Sequence, residues 1–193
     1  TVVADTVTMQ TAGGRIDSAD VVRFRAVTVD GATGPALEIT GGASATIVGG
    51  AVERSAGSVG VPVVKFSGVG SVTIAGSSFL DNGYGQVLIE DTPGGAATAS
   101  VDSSFFGDTN LKVFGLASFA MRGGRLLDGY DAAVEVDSTG VVSLVGTEIA
   151  ATQVGSGPPP PSSGGPWAVT VTVADSLRAD SLWIHGNLAG ALG

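Results

Sequence analysis

The sequence predicts an all-β protein that folds as a right-handed parallel β-helix, a solenoid of about seven coils. Three observations predict it. A nine-residue pattern recurs along the 193 residues, and a second strand with alternating apolar residues precedes most copies. The composition agrees, since 31 glycines accompany 44% hydrophobic residues. Glycine-rich turns between short strands of Val, Ile and Thr explain both features.

The nine-residue pattern reads variable-apolar-variable-apolar-variable-small-variable-variable-apolar, with Ala counted as apolar. The copies are VVRFRAVTV from Val21, SATIVGGAV from Ser44, SVTIAGSSF from Ser71, TASVDSSFF from Thr98, SFAMRGGRL from Ser118, VVSLVGTEI from Val141 and SLRADSLWI from Ser176. The sixth place always holds a small residue: Ala26, Gly49, Gly76, Ser103, Gly123, Gly146 or Ser181. A small residue fits a sharp bend between two strands at which neighbouring backbones approach closely.

The second strand has an alternating apolar pair in each coil. The pairs are Leu37/Ile39, Val64/Phe66, Val87/Ile89, Leu111/Val113, Val134/Val136 and Val169/Val171. They follow one another at steps of 27, 23, 24, 23 and 35 residues. Residues 155–166, GSGPPPPSSGGP, account for the long last step, because without these 12 residues it too is 23. A proline run cannot sit inside a strand, so we predict a loop inserted in a late coil.

A chain that winds back under itself once per period places equivalent residues above one another, about 4.8 Å apart. Parallel connections of this kind are almost always right-handed. Two interior ladders are then predicted: Phe24, Ile47, Ile74, Val101, Met121, Leu144 and Ala179, and Val29, Val52, Phe79, Phe106, Leu126, Ile149 and Ile184. Phe79 and Phe106 should form a stacked aromatic pair.

The second strand also predicts an outward ladder. Its members are Glu38, Lys65, Leu88, Lys112, Glu135 and Thr170. Glu38 beside Lys65, and Lys112 beside Glu135, would place opposite charges on adjacent coils. Such pairs are favourable but weak at an exposed surface.

Charge and composition exclude several classes of function. Eighteen acidic and nine basic residues give a net charge of −9 and no basic cluster, so nucleic acid is not expected as a partner. The absence of cysteine excludes a disulfide framework and a thiolate metal site. No apolar stretch is long enough to insert into a membrane, and Thr1 opens on mature-looking sequence. We expect one domain over residues 1–193, exported after removal of a signal, and a fragment of a longer chain.

The sequence resembles the right-handed parallel β-helix proteins, which include pectate lyases, phage tailspikes and autotransporter passenger domains of the pertactin type. The resemblance covers Val21 to Ile184 and rests on coil length, on the small residue at the bend, and on the segments GVGSVTIAGSSFLDNG and STGVVSLVGTEI. Low lysine content, Gly/Ala/Val-rich coils and the proline-rich excursion most resemble an autotransporter passenger. Such a resemblance implies a scaffold and transfers no functional residues.

Carboxylates are the first candidates for chemistry, because pectate lyases and glycoside hydrolases of this shape gather them on one face. Glu38 and Glu135 lie four coils apart, about 19 Å, which is too far for a catalytic pair. The other acids lie near turns: Asp81, Glu90, Asp91, Asp102, Asp108, Asp128 and Asp131. Turn aspartates usually bond to their own backbone, and a weak calcium site at DGYD, residues 128–131, is the alternative. We therefore predict no catalytic residue, no metal site and no cofactor.

His185 is the only histidine, which excludes a His-pair metal site and favours a solvated residue at a strand end. Four aromatic residues are candidates for binding a sugar ring or a partner: Trp167, Trp183, Tyr84 and Tyr130. The alternative for each is packing against a loop or a turn. Trp183 precedes the inward Ile184, so its side chain should point outward.

These observations favour a non-enzymatic extracellular β-helical surface protein, an autotransporter passenger or adhesin fragment. It would attach to a host surface protein or a glycan, and self-association through a coil edge is possible. A phage tail or tailspike module is the first alternative, and would be a trimer in solution where a passenger is a monomer. A polysaccharide lyase or glycoside hydrolase is the second, and requires carboxylates that converge on one face.

Overall fold

The computed structural model describes residues 1–55, 61–92, 94–128, 132–150, 167–172, 174–186 and 190–192. Over these residues the chain is all-β and its strands pair in parallel as a solenoid, which confirms the predicted architecture. The described residues form no helix long and apolar enough to cross a membrane. The proline-rich segment, residues 155–166, lies outside them.

The first sheet contains one strand from each coil. In spatial order its eight strands are β1 (Val2–Asp5), β4 (Val21–Arg25), β7 (Ser44–Val48), β10 (Ser71–Ala75), β12 (Thr98–Asp102), β14 (Ser118–Arg122), β17 (Val141–Val145) and β20 (Ser176–Asp180). The seven predicted copies of the repeat begin on seven of these strands.

The other two faces share long strands that pass round a corner, so their fourteen strands form one hydrogen-bonded sheet. The second face runs through β2 (Thr8–Gln10), β5 (Thr28–Asp30), β8 (Ala51–Glu53), β11 (Ser78–Glu90), β13 (Phe105–Phe114), β15 (Arg125–Leu127), β18 (Glu148–Ala150) and β21 (Trp183–His185). The third runs through β3 (Gly14–Asp17), β6 (Leu37–Thr40), β9 (Pro62–Ser67), the ends of β11 and β13, β16 (Val134–Asp137), β19 (Trp167–Thr172) and β22 (Gly190–Leu192).

Both interior ladders are confirmed residue by residue in the strand register. Phe79 and Phe106 stack with ring centres 4.8 Å apart and planes at 16°. Both rings are buried. Ile149 pairs with Ile184 although 35 residues separate them, so the long step does not shift the register.

One coil precedes the first predicted copy. Its residue Ala4 pairs with Phe24, and Met9 pairs with Val29, so both interior ladders extend to this coil. The repeat does begin at Thr1, but Thr6 occupies the sixth place, which the pattern requires to be small. Thr6 nevertheless adopts the same positive φ, 54°, as the small residues of later coils.

The sixth place has a specific backbone conformation. All seven predicted positions have positive φ, from 48° at Ala26 to 62° at Gly49. Left-handed backbone is unfavourable for most residues, and bulky or β-branched side chains suffer most. The conformation of the bend itself therefore selects small residues there.

The outward ladder on the third face has the predicted register from Glu38 to Thr170. Lys112 and Glu135 form the expected ion pair at 3.0 Å. Glu38 and Lys65 also lie in register on adjacent coils, as expected, but each forms its ion pair with another residue. Lys65 reaches Glu90 on the next coil at 2.8 Å, where Ser67 also donates a hydrogen bond to the carboxylate. Glu38 Oε2 instead lies 3.8 Å from Arg15 Nη1, which is on the preceding coil, the one that the predicted repeat did not include.

Candidate binding surface

The eighth place of the nine-residue pattern forms an outward ladder on the second face. Its members in register are Thr28, Ala51, Ser78, Phe105, Arg125, Glu148 and Trp183. The last four are large or charged and lie on four consecutive coils. Together with His185, which lies two residues beyond Trp183 on the same strand face, they form what we call the aromatic-ionic strip.

The five side chains of the strip form one continuous series of contacts. The guanidinium carbon of Arg125 lies 5.9 Å from the centre of the Phe105 ring. Arg125 Nε donates to Glu148 Oε2 at 2.6 Å, and His185 Nε2 lies 3.1 Å from Glu148 Oε1. The rings of His185 and Trp183 stack with centres 4.1 Å apart and planes at 29°. Each side chain is thus held by its neighbours in a fixed orientation.

The charges of the strip are arranged around Glu148. Hydrogen bonds from Arg125 and then from His185 hold the pKa of this carboxyl below its ordinary value. The side chain of Glu148 is 19% exposed and that of Arg125 is 56% exposed. Ion pairs at such a surface contribute little to the free energy of folding. Their consequence here is orientation of the guanidinium and the imidazole.

Trp183 points outward, as the repeat predicted, and is 61% exposed. Exposure of a large aromatic ring that is also held by a neighbouring ring is typical of binding surfaces. His185 ends strand β21 with 40% of its side chain exposed, as the sequence predicted, and it also joins Trp183 to Glu148.

A second group of polar residues lies at the corner between the second and third faces. Asp81, Asp108 and Asp128 occupy equivalent places on successive coils, each with φ between 53° and 56°. In the pairing of β11 with β13, residues 81–84 lie opposite Asp108 alone. We call these three residues the acidic corner.

The buried residue Asn82 holds this corner in place. Its side-chain oxygen accepts a hydrogen bond from the backbone of Ser55 at 3.1 Å. Its amide group donates to the Val52 carbonyl at 3.0 Å and to Thr109 Oγ1 at 3.1 Å. The corner is therefore tied to the coils on both sides of it.

Asp108 is the residue of the acidic corner whose pKa departs from its ordinary value. Partial burial, and then the neighbouring carboxylates Asp81 and Asp128, raise its pKa. Backbone N–H groups of Tyr84 and Gly83 bond to its carboxylate and oppose the rise. Both donors lie on the preceding coil, so they do not support the prediction that turn aspartates bond to their own backbone.

The acidic corner gives a pH-dependent prediction. A raised pKa in the folded state means that ionised Asp108 lowers stability above that pKa, and that the penalty vanishes below its ordinary pKa of 3.8. Asp108→Asn should therefore raise the melting temperature near neutral pH. The free energy of unfolding should increase by less than about 1 kcal/mol, because solvent screens the corner. The gain should disappear as pH falls to about 3.

Thermal unfolding across this pH range checks the prediction, with Asp102→Asn as the control. Asp102 lies in register with Arg122 and not with other acids, so its replacement should not stabilise the protein at neutral pH. A gain for Asp108→Asn that is the same at every pH would come from the backbone preference of Asn, and would contradict the electrostatic explanation.

The remaining predicted aromatic residues are not on the strip. Tyr84 is half-buried, has a φ of 61°, and lies at the acidic corner. Trp167 begins strand β19, but its side chain is outside the described part of the structure, as is Tyr130. Binding by these three residues remains a prediction. Most of the proposed calcium loop, residues 129–131, also lies outside, and the described residues contain no group of three side chains able to hold a metal ion.

The search for candidate residues by motif missed Arg125 and Glu148. The signal that identifies them is their place in the repeat, because Phe105, Arg125, Glu148 and Trp183 are all the eighth residue of successive copies. No family model matches the chain, and searches of curated proteins and of solved structures found no significant similarity.

Proposed function

We propose that this chain is part of a non-enzymatic extracellular attachment protein, which binds a glycan or a surface protein of a host through the aromatic-ionic strip. The single observation that carries the proposal is the exposed Trp183 ring, held against His185 and through Glu148 to Arg125. The assignment to the autotransporter passengers is taken from the resemblance of the repeat, and the right-handed winding is expected from the usual handedness of parallel connections. A solenoid suits attachment because it displays a long, rigid lateral face.

The arrangement is suited to binding because the strip combines an aromatic face with polar groups already in position. Side chains that are ordered before a partner arrives lose less conformational entropy when it binds. Trp and Arg are also the residues that most often dominate the energy of an interface. The contacts that link Trp183 to Arg125 through His185 and Glu148 are present in the free protein, so their assembly costs no binding energy.

Trp183→Ala should abolish most of the attachment. Loss of an aromatic hot-spot residue costs at least about 2 kcal/mol, or roughly thirtyfold in affinity. A glycan and matrix-protein array probed with the native chain and with this variant measures the effect. Val141→Ser is the matched control, because Val141 is a 50% exposed apolar residue on the first face whose register neighbours Ser118 and Ser176 are already serines. Equal binding by native protein and Trp183→Ala would refute the role of the strip.

A polysaccharide hydrolase or lyase is the second candidate, and the acidic corner favours it. Asp108 has a raised pKa and lies among other carboxylates, which is the arrangement of a general acid beside a base or nucleophile. Incubation with plant and bacterial polysaccharides, followed by measurement of new reducing ends, separates the two candidates. The attachment proposal expects no release. Release that is lost in Asp108→Asn would establish the enzyme instead.

A further inference from the structure

We infer that the partner of the aromatic-ionic strip is an uncharged linear polysaccharide that lies parallel to the axis of the solenoid. The inference rests on the proposed function and names the ligand class of the same surface. Three properties of the strip support it: the hydrogen-bonding groups left free beside Trp183, the distance between them, and the local charge.

The free groups of the strip match a sugar ring. Glu148 is acceptor-only when ionised, so His185 Nε2 carries the hydrogen between them, and the remaining lone pairs of the Glu148 carboxylate are left as acceptors on a side chain that is 19% exposed. Arg125 uses Nε for Glu148, and within the described part of the chain its two Nη groups are left as donors on a half-exposed side chain. A sugar hydroxyl both donates and accepts, and the C–H face of the ring packs on an aromatic face. The strip thus offers a stacking surface, a donor and an acceptor.

The spacing of the strip requires a ligand longer than one sugar. Arg125, Glu148 and Trp183 lie on consecutive coils, so the backbones of Arg125 and Trp183 are about 10 Å apart along the axis. Phe105 lies one coil further, about 14 Å from Trp183. A ligand that follows the strip from Trp183 past Arg125 to Phe105 is therefore longer than a single sugar ring. Because the ladder runs perpendicular to the strands, a linear oligosaccharide that touches both ends of the strip must follow the solenoid axis.

The charge of the surface selects an uncharged ligand. Arg125 and Glu148 neutralise each other at 2.6 Å, so this pair presents polar groups without net charge. The acidic corner adjoins the same face, and the whole chain has a net charge of −9. Uronic acid and sulfated polymers would therefore be repelled, whereas a neutral polymer would not.

Isothermal titration at physiological salt tests the inference. The ligands are uncharged linear hexasaccharides of glucose, mannose, xylose and N-acetylglucosamine, the matching disaccharides, and hexagalacturonate as the anionic case. At least one uncharged hexasaccharide should bind, about tenfold or more tightly than its disaccharide and than hexagalacturonate. Trp183→Ala and Arg125→Gln should each weaken binding about tenfold or more, and Val141→Ser should leave it within about twofold.

Several results would overturn the inference. Binding of none of the four hexasaccharides, equal binding of hexasaccharide and disaccharide, or tighter binding of hexagalacturonate would each do so. A dimer in sedimentation that Trp183→Ala dissociates would show that a second copy covers the strip. If only a matrix protein binds on the array, and does so through Trp183, the glycan inference fails while the attachment proposal stands. Array binding that is independent of Trp183 refutes both.

Discussion

Phe106→Ala is expected to lower the free energy of unfolding by about 3–5 kcal/mol, the cost of truncating a large aromatic side chain in a packed core. Phe106 is fully buried and stacks on Phe79 at 4.8 Å. It also lies in the ladder above Leu126, so the cavity would open between three consecutive coils. Equilibrium unfolding in urea measures the loss.

Phe105→Ala is the matched control for this prediction. Phe105 is the preceding residue on the same strand, but its ring lies on the outer face beneath Arg125. Its truncation removes a cation–π contact and some partly exposed area, so a loss of about 1 kcal/mol is expected. A loss for Phe105→Ala that equals or exceeds that for Phe106→Ala would contradict the placement of the two rings.

Gly115→Ala should also destabilise the protein strongly. Gly115 has a φ of 75°, and a methyl group there would collide with the backbone carbonyl oxygen of Asp91 on the preceding coil. Left-handed backbone costs an Ala about 1–2 kcal/mol, and overpacking against a group that cannot move costs about 1–3 kcal/mol more. The total of about 2–5 kcal/mol can be read from the same urea unfolding curves.

Gly76→Ala separates the two contributions to that loss. Gly76 also lies at a corner of the solenoid, with a φ of 55°, and its N–H likewise donates to a carbonyl of the next coil. An added methyl group there meets no atom within 4 Å. Only the conformational cost of about 1–2 kcal/mol should appear. Equal losses for the two variants would show that the coils are not in close contact at Gly115.

The core could be predicted from the sequence because every coil repeats the same residue requirement at each inward position. The ladder through Phe79 and Phe106 requires an apolar residue once per winding, and the bend requires a small residue at a fixed distance from it. The first coil was missed for a physical reason. Thr6 accepts the left-handed conformation of the bend although it is β-branched, so the rule of small residues does not hold there.

The surface could be predicted only in part, because outward positions tolerate many side chains. The alternation of side chains along the strand predicted that Trp183 points outward, but its partners lie on other coils. Arg125 and Glu148 come 58 and 35 residues earlier in the chain and meet Trp183 only through the register. Long side chains also choose among neighbours, which is why Lys65 pairs with Glu90 and not with Glu38. Alignment of the copies at the eighth place is the step that would have found the strip.

The strip exists only if each winding adds one rung in exact register from Ser78 to Trp183. The chain has no cysteine, so Ser78→Cys/Trp183→Cys and Ala51→Cys/Trp183→Cys can each carry a pair of spin labels at defined sites. The backbones are about 19 Å apart over four rungs and about 24 Å apart over five. The label separations measured by double electron–electron resonance should therefore lie near these values and differ by one rung spacing. Separations that do not differ by one rung, or that greatly exceed these values, would contradict the stacked solenoid and the surface built on it.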